Sequence, residues 1–473
     1  MTVPETSVAD HRRLSRVGHW INTQWKRVRS RANHPGIRNA AWIGFEKIGR
    51  MGLSLFVGIF VIRELGPERY GTYSYVLAWA GIFSPIALFG IGENTIRHLV
   101  AFRQSEGTVL ATSAILRAVS CTVAATLTLA VFWAVGTRAD APPGLVAIAL
   151  LSLLGYPLLV FDPYFQSHSR ARVITVCGLS SGILAAAVKT WGILAGASAA
   201  FFLAAYALET VVLGAALCAA YLIITPAPRF WAFDKSLALT LCREALPIIL
   251  GGFAIVVYVQ SDILLLGMLL DSPDEVGIYS AACRLSTMWV FIPYAIITSA
   301  SPFLYKLMEE ADDRYQQRLL QLMSLCVGIA YAFCVPLTLF AQPILALLLG
   351  EEFTPAAWPL RAHVWSNIFA ILGVAQRSWI LSRNLLWVAL QNTVLGAAVN
   401  LGLNVVFIPA YGATGAAFTT VAATATASVV ALALRPSTRR LAALEVRALG
   451  LAGLFGGKSV GWTNNDVTEE RAE

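Results

Sequence analysis

Nine ionisable side chains lie inside stretches of this sequence that are otherwise apolar enough to cross a membrane: Glu46, Lys47, Arg50, Arg117, Lys189, Glu209, Asp262, Arg284 and Arg377. A charge at that depth costs about 2.5–3.5 kcal/mol on insertion scales, so each calls for a partner, water or a function. Six of the nine are cations and three are carboxylates, which leaves the interior net positive. A pore for organic cations calls for unpaired carboxylates. An anionic head group calls for Lys or Arg, and Arg offers two parallel donors to a phosphate. The balance points to an anionic ligand.

Local pairing accounts for part of the set. Glu46 and Arg50 are four apart on one helix face and are placed to satisfy each other. Lys47 and Arg377 fall near span ends and can snorkel to the head groups. Asp262 and Arg284 lie at similar depth in neighbouring spans and are expected to form a structural pair; Lys189 and Glu209 match more loosely. Arg50 and Arg117 then remain as cations with no partner expected outside their own helix, with Arg284 facing them from the second half of the chain. Glu209, near mid-depth, is the carboxylate expected to take a proton or sodium ion, with Asp262 and Glu46 as further coupling groups or counter-ions.

The elements that must hold these groups follow from composition. A chain of 473 residues with 57% hydrophobic residues, 13% charged residues and a mean hydropathy of +0.67 is a membrane protein. A spanning helix needs about 20 mostly apolar residues. Twelve runs qualify: 40–63, 70–92, 109–136, 144–162, 170–193, 199–225, 243–270, 276–302, 319–349, 357–381, 386–408 and 412–434. Residues 1–39 form a basic tail in which Arg12, Arg13, Arg16, Lys26, Arg27, Arg29, Arg31 and Arg38 hold the N-terminus in the cytoplasm. No cleavable leader is read there. Threading the spans outward leaves Arg63, Arg69, Arg138 and Arg361 outside and about two dozen Lys and Arg inside, with both termini cytoplasmic. The net charge of +8 reflects this bias rather than nucleic-acid binding.

The chain repeats itself. "LGPERYGTYSY" at 65–75 and "LLDSPDEVGIYSA" at 269–281 align Pro67 with Pro273, Gly71 with Gly277, Tyr73 with Tyr279 and Ser74 with Ser280, at one offset of 206 residues. "GASAAF" at 196–201 and "GATGAAF" at 412–418 precede spans six and twelve. Six spans per half is an even number, so the halves run in the same direction. This predicts an all-α integral membrane fold of about twelve helices in two six-helix lobes, 40–225 and 243–434, related by a parallel pseudo-two-fold axis along the membrane normal. Residues 226–242 are the cytoplasmic linker between lobes and 435–473 a cytoplasmic tail, with 441–457 interfacial or loosely ordered. The repeated turn is read as the outer hairpin tip of each half, with Tyr70, Tyr73 and Tyr75 at the membrane interface. In the N-terminal tail Leu14, Val17, Ile21, Trp25 and Val28 suit an amphipathic helix on the anionic leaflet, or the tail only fixes topology.

"ELGPERYGTYSYVLAWAGIFSPIALFGI", "VKTWGILAGASAAFFLAAYALETVVLG", "QSDILLLGMLLDSPDEVGIYSAACRLS" and "NVVFIPAYGATGAAFTTVAA" resemble the bacterial polysaccharide or O-antigen flippase family. That family belongs to the multidrug, oligosaccharidyl-lipid and polysaccharide exporter superfamily, and the resemblance covers about residues 40–434. It implies a MATE-like two-lobed fold alternating between inward- and outward-open shapes in the bacterial cytoplasmic (inner) membrane. The implied cargo is a polyprenyl-diphosphate-linked oligosaccharide for cell-surface polysaccharide biosynthesis, with a polysaccharide polymerase or glycosyltransferase machinery as further partners. For such a cargo Arg50, Arg117, Arg284 and Lys189 are the expected diphosphate contacts, and Gln260, Asn392 and Asn400 the expected sugar contacts.

Two other readings compete. A multidrug or cation antiporter on the same fold conflicts with the cationic excess. A membrane glycosyltransferase or polymerase needs a sizeable loop or domain, and the outer loops are short. "EEADDRY" at 309–315 reads as a solvated charge run rather than a metal site. No GxxxxGK[ST] is present, so no nucleotide cofactor is expected, and "FGIGEN" reads as the inner end of span two, breaking at Gly90 and Gly92. The seven cysteines lie in or beside apolar runs without CxxC spacing and suggest neither disulfides nor zinc.

Overall fold

The computed structural model describes residues 35–101, 105–135, 141–225, 232–310, 312–383 and 385–454, and every regular element among them is a helix. The first half runs α1 (Pro35–Ile82), α2 (Ser84–Leu88), α3 (Ile91–Ala101), α4 (Glu106–Val135), α5 (Pro143–Leu150), a 3-10 stretch (Leu151–Val160), α6 (Phe161–Ser167), α7 (Ala171–Leu194) and α8 (Ala199–Ile224). The second runs α9 (Lys235–Leu270), α10 (Pro273–Thr287), α11 (Phe291–Glu310), α12 (Asp312–Leu339), α13 (Ala341–Leu348), a 3-10 turn (Glu351–Ala356), α14 (Ala357–His363), α15 (Ser366–Ala375) and α16 (Arg377–Ser382). It closes with α17 (Leu386–Ala425), a π turn (Thr426–Val430), α18 (Ala431–Ala433) and α19 (Arg439–Leu449). Among the described residues seven helical stretches are long and apolar enough to cross a membrane, or eight when α10 and α11 count as one span bent by 45°. The protein is therefore a multi-pass membrane protein. The basic tail through residue 34, Arg138, much of the 226–242 linker and the segment from 455 onward lie outside the described residues.

α1 and α17 are the longest helices, each too long for one crossing. α1 has 48 residues, about 72 Å if straight, against a hydrocarbon core of about 30 Å. It breaks at Gly66 (φ 68°, ψ 174°), a left-handed position that favours glycine, and Pro67 starts the second arm. α17 breaks in the same way at Gly412 (φ 57°). Expected spans one and two, and eleven and twelve, are thus the arms of broken helices. Other spans are interrupted where the sequence suggested continuity. Span two divides at Phe83; its further break at Phe89 and Gly90 is the one expected within "FGIGEN", although the chain runs on through Gly92 as α3. Span four turns 3-10 around Pro157, which lacks the N–H an α-helix needs.

The two copies of the repeated turn touch each other. A Cβ added to Gly71 would stand 1.7 Å from the carbonyl oxygen of Pro273, and one added to Gly277 would stand 1.9 Å from that of Pro67. Gly71 matches Gly277 in the repeat and Pro67 matches Pro273, so the contact is reciprocal, as a two-fold axis demands. Around this seam the halves share their cores. Ile62, Leu65 and Tyr70 pack with Ala281, Leu285 and Phe353, while Tyr75 and Trp79 pack with Leu266, Val276 and Tyr279. Further from the seam each half keeps its own core, Leu99, Leu110, Phe165 and Leu217 in the first and Tyr315, Leu319, Met323 and Leu441 in the second. Between the seam and the opposite end the halves leave a cavity lined from both sides. At the far end the halves meet again: Arg97 Nη2 and His98 Nε2 lie 2.7 and 3.2 Å from Glu244, the Asp234 N–H donates to Thr112 Oγ1 (3.1 Å), and Phe83 stacks on Phe253 at 5.8 Å.

Two sequence expectations change here. Tyr70 and Tyr75 are buried in the seam, 8% and 0% exposed, rather than lying at the membrane interface, because the hairpin tips pack on each other. The segment after span twelve is not loose as far as Leu454. α19 buries Leu441, Ala442, Leu444 and Ala448 on one face against α12, Tyr331 OH donates to the Leu449 carbonyl (2.9 Å), and the Gly453 N–H donates to Ser324 Oγ (3.0 Å).

That face also buries Glu445, which is 0% exposed with neither carboxylate oxygen hydrogen-bonded. Burial pushes its carboxyl well above the usual 4.5. The unfolded chain releases this proton near the ordinary value while the folded chain retains it, so stability falls as pH rises above about 4.5. Glu445→Leu is expected to stabilise the protein by about 1–3 kcal/mol by removing an unsatisfied buried group. The gain in Tm should be larger at pH 8 than at pH 5, read by tryptophan-fluorescence melting in detergent. A variant that melts lower than wild type at pH 8 would show that Glu445 is satisfied.

Candidate functional site

The space between the halves is a cavity of about 730 Å³ lined from both sides. The first arm of α1 supplies Arg50, Ser54 and Val61, its second arm Tyr70 and Tyr73, α7 Lys189 and α8 Tyr206 and Glu209. α9 supplies Tyr258, Gln260 and Asp262, α10 Tyr279 and Arg284, and α14 and α15 His363 and Asn367. Broken α1 lines it beside the continuous α7, α8 and α9, and irregular backbone at membrane depth is tolerated where it lines such a space.

One charge cluster belongs to the first half. Arg50 Nη1 lies 3.2 Å from Glu46 Oε1 and its Nη2 lies 3.3 Å from Glu209 Oε1, while Lys189 Nζ lies 3.0 Å from Glu209 Oε2. The expected Glu46–Arg50 and Lys189–Glu209 pairs are both present. Arg50, expected to lack a partner beyond its own helix, has Glu209 because α8 packs beside α1 and α7 at this depth.

The expected Asp262–Arg284 pair is absent. Arg284 turns across the cavity and donates from Nη2 to Ser54 Oγ (3.1 Å) and O (3.3 Å) in the opposite half. Asp262 turns into the second half. Its Oδ2 accepts from Tyr279 OH (2.5 Å) and Thr420 Oγ1 (2.6 Å), and its Oδ1 accepts from Asn404 Nδ2 (2.6 Å). Asn400 Oδ1 accepts from Ser261 Oγ (2.6 Å) and Asn404 Nδ2 (3.2 Å), and Thr419 Oγ1 donates to Asn404 Oδ1. Burial explains the choice, because a carboxylate 3% exposed needs all its lone pairs met, and three neutral donors do so without a second buried charge. Among the described residues no group of three or more His, Cys, Asp or Glu is placed to hold a metal ion.

Several sequence candidates lie outside the cavity lining. Arg117 is 6% exposed inside the first half, where its charged neighbour is Asp162. Asn392 is buried and accepts from Arg435 Nη1 (2.5 Å), and Asn400 belongs to the Asp262 network. Lys47 and Arg377 are exposed, as snorkelling side chains would be. The sequence reading missed His363, which shares a 2.6 Å hydrogen bond with Ser286 Oγ, and Asn367, whose Nδ2 donates to the Ser286 carbonyl (3.0 Å). It also missed the tyrosines as cavity residues. Tyr70 and Tyr73 stack at 5.9 Å, and their i, i+3 spacing with Ser74 and Leu77 was the available signal for one shared face.

A bundle of spanning helices, several of them broken, around a central cavity lined from both halves is the MATE-like fold. The solved structures agree on the fold. An inward-facing multidrug resistance MATE family transporter of the MOP superfamily superposes with a TM-score of 0.69 at 16% identity, covering 84% of this chain and 96% of that one. The lipid II flippase MurJ in an inward closed conformation superposes with a TM-score of 0.65 at 12% identity, covering 90% and 94%. The sequence profile described as "Polysaccharide biosynthesis protein" matches residues 37–308, more than half of the chain, and the protein belongs to that family. It is also similar to the probable low-salt glycan biosynthesis flippase Agl15 of Haloferax volcanii, 24% identical over 175 residues, a match that spans 36% of each chain.

Proposed function

We propose that the protein is a flippase that moves a polyprenyl-diphosphate-linked oligosaccharide across the cytoplasmic membrane, by alternating access of two lobes at 40–225 and 243–434, for polysaccharide biosynthesis at the cell surface. The observation that carries the reading is the charge of the cavity. Arg50, Lys189 and Arg284 face one volume, and the two carboxylates that reach it, Glu209 and Asp262, are already engaged. Arg284 has no carboxylate partner among the described residues and stands ready for an anion. Tyr70, Tyr73, Tyr206 and Tyr258 offer ring faces to sugars, with Gln260, His363 and Asn367 as polar contacts. Arg117 takes the role of partner to Asp162, and Asn392 and Asn400 that of framework rather than sugar contacts.

The family and the named relative support the same reading, and the seam is then the outward end. Arg63, Arg69 and Arg361 belong to that end and Arg97, Lys306, Arg314, Arg318, Arg435 and Arg440 to the other, consistent with cytoplasmic termini. Asp262 with its hydroxyl and carboxamide ligands is the oxygen-rich candidate for ion coupling. Antiport of organic cations loses on the sign of the cavity, and the work proposed is translocation without bond making.

The test is leaflet transfer in proteoliposomes of a fluorescent polyprenyl-diphosphate sugar, followed with a quencher confined to one side. Wild-type protein is expected to raise the transfer rate well above that of empty vesicles. Equal rates, with and without proton and sodium gradients, would overturn the reading in favour of a different cargo.

A further inference from the structure

The cavity already contains an anion of its own. Glu209 projects from α8 and gives one oxygen to Arg50 on α1 and the other to Lys189 on α7, at 3.3 and 3.0 Å. The three side chains are 21%, 31% and 16% exposed, all toward the cavity they line. A carboxylate held bidentately by two cations from different helices occupies the donors that a phosphate would use. We propose that Glu209 is a resident counter-anion that the anionic group of the cargo displaces, and that each displacement takes up one proton at Glu209. This rests on the reading of Arg50, Lys189 and Arg284 as anion contacts.

The neighbourhood makes the proton the means of charge balance. Glu209 faces Arg50 and the first arm of α1, Lys189 on α7, the phenols of Tyr206 on α8 and Tyr73 on the second arm of α1, and Arg284 across the cavity on α10. The tyrosines are neutral and supply no compensating charge. Arg50 keeps Glu46 through Nη1 when Glu209 leaves, but Lys189 has no other carboxylate among the described residues and exchanges Glu209 for the incoming anion. Arg has five donors and Lys three, so hydrogen bonds alone do not exclude both anions. Charge does. Two anionic groups at hydrogen-bonding distance from the same cations cannot both stay ionised at little cost, and the one with a proton-accepting carboxylate takes a proton from the water on the open side. When the cargo leaves, Glu209 returns its proton to water and pairs again with Arg50 and Lys189. Protons and charges balance over the cycle.

Titration of the purified full-length protein with inorganic diphosphate tests this by calorimetry in two buffers of different ionisation enthalpy, wild type beside Glu209→Gln. Wild type is expected to take up one more proton per anion bound than the variant. The variant, lacking the competitor, should bind at least about tenfold more tightly. In wild type alone, an infrared difference spectrum should show a protonated carboxyl C=O band appearing on addition of diphosphate, a readout that does not depend on the variant folding. Equal proton counts with equal affinities, or no new carboxyl band while diphosphate binds, would make Glu209 a fixed structural counter-ion and sink the displacement. Absence of diphosphate binding to folded wild type and variant alike would instead remove the anion site itself, and the proposed function with it.

Discussion

Gly277→Ala is expected to pry the two halves apart at the seam and populate a state opened at that end. The added Cβ would stand 1.9 Å from the Pro67 carbonyl oxygen and must retreat by about 1.5 Å to reach ordinary contact at 3.4 Å. The obstacle is backbone, not a flexible side chain that can step aside. Overpacking of this kind costs about 1–3 kcal/mol, and the cost falls only on the state in which the seam is shut. At about 1.4 kcal/mol per tenfold, the ratio of open to shut molecules should rise by about 5- to 150-fold. Gly71→Ala should do the same, since its Cβ meets the Pro273 oxygen at 1.7 Å. The double variant should add little to either single one, because one separation relieves both clashes. Spin labels at Arg69 and Asp274, both exposed on the seam rim, report the result as a longer-distance population. An unchanged distance distribution in folded Gly277→Ala would show that the seam is not a parting surface.

The second large effect is expected at Arg284. Its guanidinium is half-buried, faces the cavity and is held only by Ser54 Oγ and O of the opposite half at 3.1 and 3.3 Å. Nothing anionic in the described residues neutralises it. Removing a partly desolvated cation from a bound anion costs about 2–5 kcal/mol, so Arg284→Ala should lower cargo transfer by about 30- to 3,000-fold. Tm should change little, because two hydrogen bonds to Ser54 are all that the fold loses. Arg284→Lys should recover part of the rate, since it restores the charge without the paired donors. Transfer within twofold of wild type in Arg284→Ala would remove this residue from the cargo site.

These two residues also mark how far the sequence could be read. The turns at Gly66 and Gly412 were legible because a glycine within three residues of a proline, between apolar runs of spanning length, has few other meanings. The break at Phe83 was not, because the packing of α2 against α4 and α9 sets it rather than local composition. The repeat was visible as an equality between Gly71 and Gly277, but an equality does not say that the equal parts meet. Depth within spans brought Arg50, Lys189, Glu209, Gln260, Asp262 and Arg284 to one cavity, because depth is a one-dimensional property of a helix. Azimuth is not read so easily. Arg117 turned inward toward Asp162, and Asp262 turned away from Arg284 toward Thr420 and Asn404, partners more than 140 positions away in the chain. Tyr70 was misplaced because an aromatic at a helix end suits a membrane surface and a protein seam equally well.

The reciprocal contact of Pro67 and Gly71 with Pro273 and Gly277 is the kind of surface by which two separate half-length chains would dimerise. Here a peptide linker joins the halves, and a tether of that sort supplies an effective concentration in the millimolar range. A seam too weak to hold two free halves together is then strong enough within one chain, and it need not be stronger. In the proposed transport cycle this surface parts and re-forms, and the tether then guarantees the return while the seam need set only a shallow barrier to leaving.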